Sequence, residues 1–129
     1  MNTQQIRVLY IGDEQSNLLT ALSSVIVRDQ LMVASTTKNA LAMYALYMPD
    51  VLAIDGNSAV AQAAMPHLGA FGTNETPDLM LLLADDQEWR SLNNVILCQL
   101  PSNSKRHEII SALDQLVTAC STLSLPHSA

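Results

Sequence analysis

Five short apolar runs recur along the chain, each bounded by glycine, proline or polar residues. Runs of this length that are rich in β-branched and aliphatic side chains predict β-strands buried on both faces. The predicted strands are Arg7–Ile11, Leu31–Ser35, Val51–Ile54 (ending at Asp55), Leu79–Leu83 and Val95–Leu100.

Between these strands the apolar residues recur at helical spacing, which predicts helices after the first, second, third and fifth strands. The predicted helices are Leu18–Ile26 with Ser16 or Asn17 as N-cap, Asn39–Met48 with Thr36 or Thr37 as N-cap, Ser58–Met65, and a final helix from Lys105 onward. Pro49 and Pro66 end the second and third helices. Phe71–Asp78 is predicted to be a loop, and Gln87–Leu92 leaves room for only a turn or two of helix. This alternation predicts an α/β fold with a parallel sheet covered on both sides.

Length and charge narrow the class of protein. The 129 residues suit one domain, 1–129, with a core of about 6–120 and a tail or linker start at 121–129. Twelve acidic against six basic residues, a net charge of −6, argue against nucleic acid or an anionic membrane as a direct partner. The apolar runs are too short to span a bilayer and the first residues lack a signal-peptide pattern, so we expect a cytoplasmic protein.

The cysteines and histidines do not predict a site. Cys98 and Cys120 are too few for a disulfide framework and are expected to be reduced thiols. His67, His107 and His127 lack the spacing of metal ligands and are predicted to lie on the surface.

Four segments, in order, resemble the receiver domain of two-component response regulators. They are VLYIGDEQSNL at the first strand, PDVLAID at the third, LMLLLADD at the fourth and VILCQLP at the fifth. The resemblance covers about residues 6–120 and implies a flavodoxin-like (CheY-like) three-layer fold with a five-stranded parallel sheet in the order 2-1-3-4-5. Only 17 positions separate Leu83 from Leu100, so helix four of that fold is expected to be shortened.

The resemblance assigns Asp55 the role of phosphoacceptor. It also implies that Asp13, Asp55 and the carbonyl of Asn57 hold Mg²⁺, a cation that prefers oxygen ligands, with Glu14 at a third acidic position pointing elsewhere. A cis peptide before Pro101 is a further expectation from the family.

Other positions depart from the family's pattern. Gly12 replaces the first acid, Leu83 the hydroxyl residue after strand four, Leu100 the lysine after strand five, and Leu97 the aromatic switch residue. Because phosphoryl transfer relies on positioned charge, losing these groups predicts a degenerate receiver, or pseudo-receiver. We expect no enzyme activity, no required cofactor and at most weak Mg²⁺ binding.

Three alternatives remain open. In the first, the chain is a working receiver that is phosphorylated on Asp55 with Mg²⁺. In the second, which is more remote, it is a flavin- or nucleotide-binding enzyme of the same topology. The third is structural: Asp55 caps the backbone N–H groups of Asn57 or Ser58, and Asp13 caps the first helix.

A neutral stretch suggests an interface. Between Lys38 and Glu75 the only charged residues are Asp50 and Asp55, and a solvated helix normally shows a polar face. We predict that the side formed by helices two and three meets another signalling protein or a second copy of the chain. The residues concerned are Leu46, Tyr47, Met48, Ala59 and Ala63. The alternative is that these are tolerated, alanine-rich surface helices.

Overall fold

The computed structural model describes residues 6–70, 77–85, 88–92 and 94–124. Five parallel strands form one sheet in the order β2-β1-β3-β4-β5, which confirms the predicted flavodoxin-like fold. Their bounds are β1 Val8–Ile11, β2 Leu31–Ala34, β3 Val51–Asp55, β4 Asp78–Leu83 and β5 Val95–Leu100. The runs that predicted these strands are buried on both faces at the centre of the sheet, where β1, β3 and β4 lie.

Within the described ranges, four α-helices connect or follow the strands. They are α1 Asn17–Val25, α2 Thr37–Tyr47, α3 Ala59–Ala64 and α4 Arg106–Ser124. Ser16, Thr36 and Ser58 cap the first three, each accepting the amide N–H of the residue three positions later. Ser16 and Thr36 are among the predicted caps, whereas Ser58 was predicted as the first residue of the third helix and is its N-cap instead. The final helix runs further than expected, so the predicted tail at 121–129 begins inside α4.

The core lies in two layers on either side of the sheet. Side chains of α1 and α4 pack against one face, and side chains of α2 and α3 pack against the other. Because side chains alternate along a strand, Tyr10, Leu83 and Leu100 face the α1–α4 side whereas Leu97 faces the α2–α3 side. None of the helices in the described ranges is long and apolar enough to cross a bilayer.

The link between β4 and β5 contains no α-helix in its described part. Its regular element is a single 3-10 turn, Glu88–Ser91, which confirms the prediction that helix four is shortened. Trp89 of this turn is fully buried against the α2–α3 layer and covers the sheet there. In this chain the label α4 therefore belongs to the final helix.

Two details of the sequence prediction are wrong. No cis peptide bond occurs in the described residues, so the bond before Pro101 is trans. In the turn that follows, the amide and hydroxyl of Ser104 both donate to the carbonyl of Pro101, at 3.0 and 2.7 Å. The loop predicted to end at Asp78 ends at Pro77, since Asp78 is the first residue of β4; residues 71–76 lie outside the described part.

Candidate functional site

An acidic cleft opens at the carboxyl edge of the sheet, beside the point where the strand order reverses between β1 and β3. Its volume is about 630 Å³, and it is lined by Asp13, Glu14, Gln15, Ser16, Ser35 and Asp55. In open α/β sheets this is the position where ligands bind. The structure thus brings Asp13 and Asp55 into one cleft, as the resemblance implied.

Asp55 ends β3 and is half-buried, whereas Asp13 is exposed on the loop after β1. Burial raises the pKa of the Asp55 carboxyl, the amide N–H of Asn57 opposes that rise, and the negative charge of Asp13 adds to it. The Asn57 amide approaches Oδ1 of Asp55 at 3.4 Å, so part of the capping alternative holds. The N-cap of α3 is nevertheless Ser58, whose hydroxyl and amide donate to the carbonyl of Asp55.

Tyr10 is the residue of the candidate site that the sequence did not indicate. It is fully buried in β1, and its hydroxyl donates to the carbonyl of Asp13 at 2.6 Å. The hydroxyl of Ser16 lies 2.6 Å from it and is left to donate, while Ser16 Oγ accepts the amide of Leu19 at 3.0 Å. Burial raises the pKa of Tyr10 to about 12, the bond to Ser16 lowers it, and the charges of Asp55 and Asp13 raise it further.

Gly12 occupies a position that has no room for a side chain. A Cβ atom there would lie 2.6 Å from both the Tyr10 hydroxyl and the Cβ of Asp55, closer than such atoms approach. The φ of 156° also favours glycine. A tyrosine in a predicted strand, two residues before the glycine that follows that strand, is the sequence signal that could have revealed this pairing.

This packing decides whether the residues fit the family's Mg²⁺ site. The first acid of that site belongs at position 12, where Tyr10 and Asp55 exclude any side chain. Among the described residues, no three His, Cys, Asp or Glu side chains converge as metal ligands do. The complete Mg²⁺ site therefore does not fit this chain, and no reaction step through the metal follows from the arrangement. Weak binding by Asp13, Asp55 and the carbonyl of Asn57 stays a prediction.

Two leucines lie in register with Asp55. Asp55 pairs with Leu83 across β3 and β4, and Leu83 pairs with Leu100 across β4 and β5. Leu83 is buried, Leu100 is half-buried, and both pack in the α1–α4 layer. The two positions that carry a hydroxyl residue and a lysine in the family are therefore both apolar in this chain.

A close contact fixes the residue after Asp55. A Cβ atom on Gly56 would lie 2.7 Å from Cβ of Ala84 and 2.9 Å from Cδ1 of Leu82. The carbonyl of Gly56 accepts a hydrogen bond from the side-chain amide of Gln62 at 2.5 Å. The segment from Asp55 to Asn57 is therefore positioned both by this packing and by the hydrogen bond from Gln62.

Beyond β4 and β5, Asp85 and Ser102 connect the two loops at the same edge. The carboxylate of Asp85 accepts the amide of Ser102 at 3.0 Å and its hydroxyl at 2.5 Å. These two hydrogen bonds lower the pKa of Asp85 below its usual value. They join the loops that follow Leu83 and Leu100.

The five residues of the predicted interface are all exposed, but they do not form one patch. Ala59 begins α3 beside Asp55, at the carboxyl edge of the sheet. Leu46, Tyr47 and Met48 lie at the end of α2, which leads into β3 and so reaches the opposite edge. Ala63 lies one turn after Ala59.

The remaining predicted surface residues are also placed. His67 and His107 are exposed, and Cys98 is half-buried with a pKa that burial raises. His127 and the side chain of Cys120 lie outside the described part.

The solved structures that are similar to this chain include the following two. The N-terminal domain of an uncharacterized protein from Wolinella succinogenes has a TM-score of 0.67 at 14% identity, over 91% of this chain and 97% of that one. A two-component transcriptional regulator AraC from Clostridium phytofermentans has a TM-score of 0.59 at 17% identity, over 92% of this chain and 96% of that one. The chain has the CheY-like fold. No protein-family model and no curated protein sequence matches it.

Proposed function

We propose that the chain is a degenerate receiver domain, a pseudo-receiver, which acts in two-component or phosphorelay signalling by binding proteins and not by accepting phosphate. The CheY-like fold and the four receiver-like segments support its assignment to receivers. The packing around Asp55 supports the loss of phosphorylation. On this proposal the domain is not an enzyme, requires no cofactor and works in the cytoplasm.

The observation that carries the proposal is the contact of Tyr10 with position 12. The Tyr10 hydroxyl occupies the space that the Cβ atom of the family's first acid would need at position 12. Its hydrogen bonds to Asp13 and Ser16 keep it there, because the buried phenol has both of its partners within 2.6 Å. An acidic side chain could return to position 12 only if Tyr10 and Asp55 both moved.

The electrostatics of Asp55 support the same conclusion. In the family, a lysine beside the nucleophile pairs with its carboxylate and then with the phosphate. Here the row beyond Asp55 contains Leu83 and Leu100, and burial raises the pKa of the Asp55 carboxyl. Removing one positioned donor typically costs about 3 kcal/mol of transition-state stabilisation, so losing a lysine and a metal-side acid slows transfer by several orders of magnitude.

Intact-mass measurement tests the proposal directly. The chain and its Asp55→Ala variant are incubated with acetyl phosphate and Mg²⁺, and a receiver with the complete set of acids, hydroxyl and lysine is treated in parallel. We expect the reference receiver to gain about 80 Da, the mass of one phosphoryl group, and both forms of this chain to gain nothing. A gain in the chain that Asp55→Ala abolishes would instead establish a working receiver phosphorylated on Asp55.

Flavin or nucleotide binding is not favoured by the cleft. The loop after β1 presents Asp13 and Glu14 to it, and carboxylates repel a phosphate group. Phosphate-binding loops of this topology instead offer backbone N–H groups at a helix N-terminus.

A further inference from the structure

The sheet ends on one side at β2, and no strand of the described ranges pairs with its outer side. The amide of Gly12 donates to the carbonyl of Ala34 at 3.2 Å, which fixes the register between β1 and β2. Alternate residues of a strand bond to a parallel neighbour, so Met32 and Ala34 bond to β1. The N–H and C=O groups of Leu31 and Val33 therefore point away from the sheet; these outward groups are called the β2 edge.

The β2 edge has none of the side chains that usually prevent further pairing. Natural edge strands are protected by charged residues, by proline or by bulges. The sequence of β2 is LMVA, which contains neither a charge nor a proline. Val33 is 38% exposed, and Val25 and Val27, which precede β2 in the chain, are 38% and 40% exposed. The composition of this edge therefore leaves it open to another extended chain.

A cavity lies beside the β2 edge on the α1 side of the sheet. Its volume is about 410 Å³, and it is lined by Ser23, Ile26, Leu31 and Val33. Leu31 and Val33 are two residues apart, so their side chains share the face of β2 that borders the cavity. A strand added at the β2 edge would place its own side chains next to these two, over the cavity. The site therefore fits an extended segment with apolar side chains on one face.

The acidic cleft lies at the carboxyl end of β2. Ser35, which follows β2 directly, lines this cleft together with Asp13 and Glu14. Lys38, in the first turn of α2, is exposed and does not line the cleft. An added strand would lie about 10 Å from β1, two strand spacings away, which a long basic side chain can bridge. A lysine or arginine at that end of the added strand would therefore meet carboxylates.

We propose that the β2 edge docks an extended segment of another protein, with apolar side chains on one face and a lysine or arginine at the end beside the acidic cleft. The net charge of −6 favours a basic partner over a second copy of this chain. In strand addition of this kind, backbone hydrogen bonds provide the affinity and side-chain pockets provide the specificity.

This docking edge deepens the proposed function, on which it rests for the idea that the domain works by binding proteins. Its test uses no phosphoryl donor and leaves Asp55 unchanged. Failure of strand docking and failure of the pseudo-receiver assignment are therefore distinguishable.

The expected complex is weak. Stable interfaces bury about 800 Å² on each partner, and one short strand beside a small cavity provides less. We therefore expect a dissociation constant on the order of 100 µM.

A synthetic peptide tests the docking edge. The probe alternates threonine and valine over about six residues, a typical strand length, and has a lysine at each end. N-methylation of alternate residues leaves only one of its edges able to pair, which prevents fibril formation. NMR titration with amide hydrogen exchange measures binding to the isotope-labelled chain. We expect the amides of Leu31 and Val33 to exchange at least about tenfold more slowly at saturation, and the amide of Leu97, on the other edge strand, to stay unchanged.

Variants of the chain test the two parts of the site. Val33→Lys should raise the dissociation constant at least about tenfold, because an edge lysine prevents strand addition. Ile96→Lys is the matched control: Ile96 is 39% exposed on β5, so this variant adds the same charge at the other edge and should bind the probe like the parent. Glu14→Gln should weaken binding of the lysine probe about threefold and leave binding of a probe with serine at both ends unchanged.

Several results would overturn the docking edge. One is unchanged exchange of the Leu31 and Val33 amides at about 1 mM probe. Another is equal binding of a probe N-methylated at every residue, which cannot form a ladder. Equal weakening by Ile96→Lys and Val33→Lys would place the site elsewhere. A chain that dimerises without the probe, and does so through Val33, would identify a second copy as the occupant and overturn the choice of partner.

Discussion

The indole of Trp89 packs against Gly56, such that a Cβ atom on Gly56 would lie 3.2 Å from its Nε1. Trp89 comes from the turn that replaces helix four, and Gly56 follows Asp55 directly. The indole N–H is buried and has no partner among the described residues. The shortened connection thus occupies the space beside the cleft that a side chain after Asp55 would need.

Gly56→Ala should destabilise the fold. Its Cβ would meet Ala84 and Leu82 at under 3 Å, and overpacking of this kind costs about 1–3 kcal/mol. The lower entropy of the unfolded alanine chain offsets about 0.4–1 kcal/mol of that, so we expect a net loss of about 1–2 kcal/mol. Urea unfolding followed by Trp89 fluorescence measures it. Asn57→Ala, at the exposed neighbour, should change stability by less than about 0.5 kcal/mol, and a Gly56→Ala variant as stable as that control would contradict the packing.

Tyr10→Phe should have opposite effects at neutral and alkaline pH. At pH 7 the variant loses the hydroxyl's bonds to Asp13 and Ser16, which lowers the free energy of unfolding by about 1 kcal/mol. The pKa of Tyr10 rises from 10.0 in the unfolded chain to about 12 in the fold. Between these values the folded state binds more protons, so the parent chain loses stability as pH rises, by about 3 kcal/mol in all.

The Tyr10→Phe variant lacks this alkaline loss. The difference between the two unfolding free energies should therefore change sign between about pH 10 and 12. Denaturant unfolding at several pH values measures it. Parallel curves for the two proteins would show that Tyr10 ionises in the fold as easily as in the unfolded chain.

Asp55→Asn should stabilise the fold at pH 7. The pKa of Asp55 is raised above the value of 3.8 that it has when unfolded, mainly by burial, so the folded state holds its proton more tightly. The parent chain consequently loses stability as pH rises from 3.8 through the folded pKa, and the variant does not. The gain should be complete above the folded pKa and absent below pH 3.8. A variant that is less stable than the parent at pH 7 would mean that the Asp55 carboxylate has a favourable partner.

Asp85→Asn is a control in which the expected change in the free energy of unfolding has the opposite sign. Hydrogen bonds from the side chain and the amide of Ser102 lower the pKa of Asp85 below 3.8. Its contribution to stability is therefore present above pH 3.8 and disappears as pH falls through the lower, folded value. Asp85 is exposed, so solvent screening keeps the effect small, but the variant should be less stable than the parent at pH 7.

Leu100→Lys should lower the pKa of Asp55. The side chain at position 100 lies on the same face of the sheet as Asp55 and in the same row, so an ammonium group there can approach the carboxylate. Carbon-13 NMR titration of the Asp55 carboxyl measures the shift. Leu97→Lys is the matched control, because Leu97 packs in the layer on the other face of β5. A pKa that falls equally in both variants would show that net charge alone is responsible.

The strands and helix starts were predictable because local chemistry determines them. Pro49 separates α2 from β3, and Ser16 caps α1 through its own side chain. The shortened helix four followed from counting residues between Leu83 and Leu100. Once parallel strands are assigned, their carboxyl ends must share one edge, so the closeness of Asp13 and Asp55 also followed.

The role of Tyr10 was not predictable from its apolar run alone. The apolar run predicted only that Tyr10 lies in a strand. A buried phenol also needs a hydrogen-bond partner for its hydroxyl, and the run does not show which residue provides it. The position of Trp89 depends on its packing against Gly56, which is distant in sequence, and so no local pattern reports it. The left-handed conformation of Met48 was equally hidden, since the pattern showed only that Pro49 ends the helix.

The three tyrosines of the chain differ sharply in their access to reagents. Tyr10 and Tyr44 are enclosed, at opposite edges of the sheet, whereas the ring of Tyr47 stands in solvent. Nitration with tetranitromethane should consequently label the ring of Tyr47 in a dilute solution of the protein. Any protein that covers the end of α2 will shield that ring, so the yield of nitrotyrosine becomes a footprint of this surface that requires neither a mutation nor an attached dye.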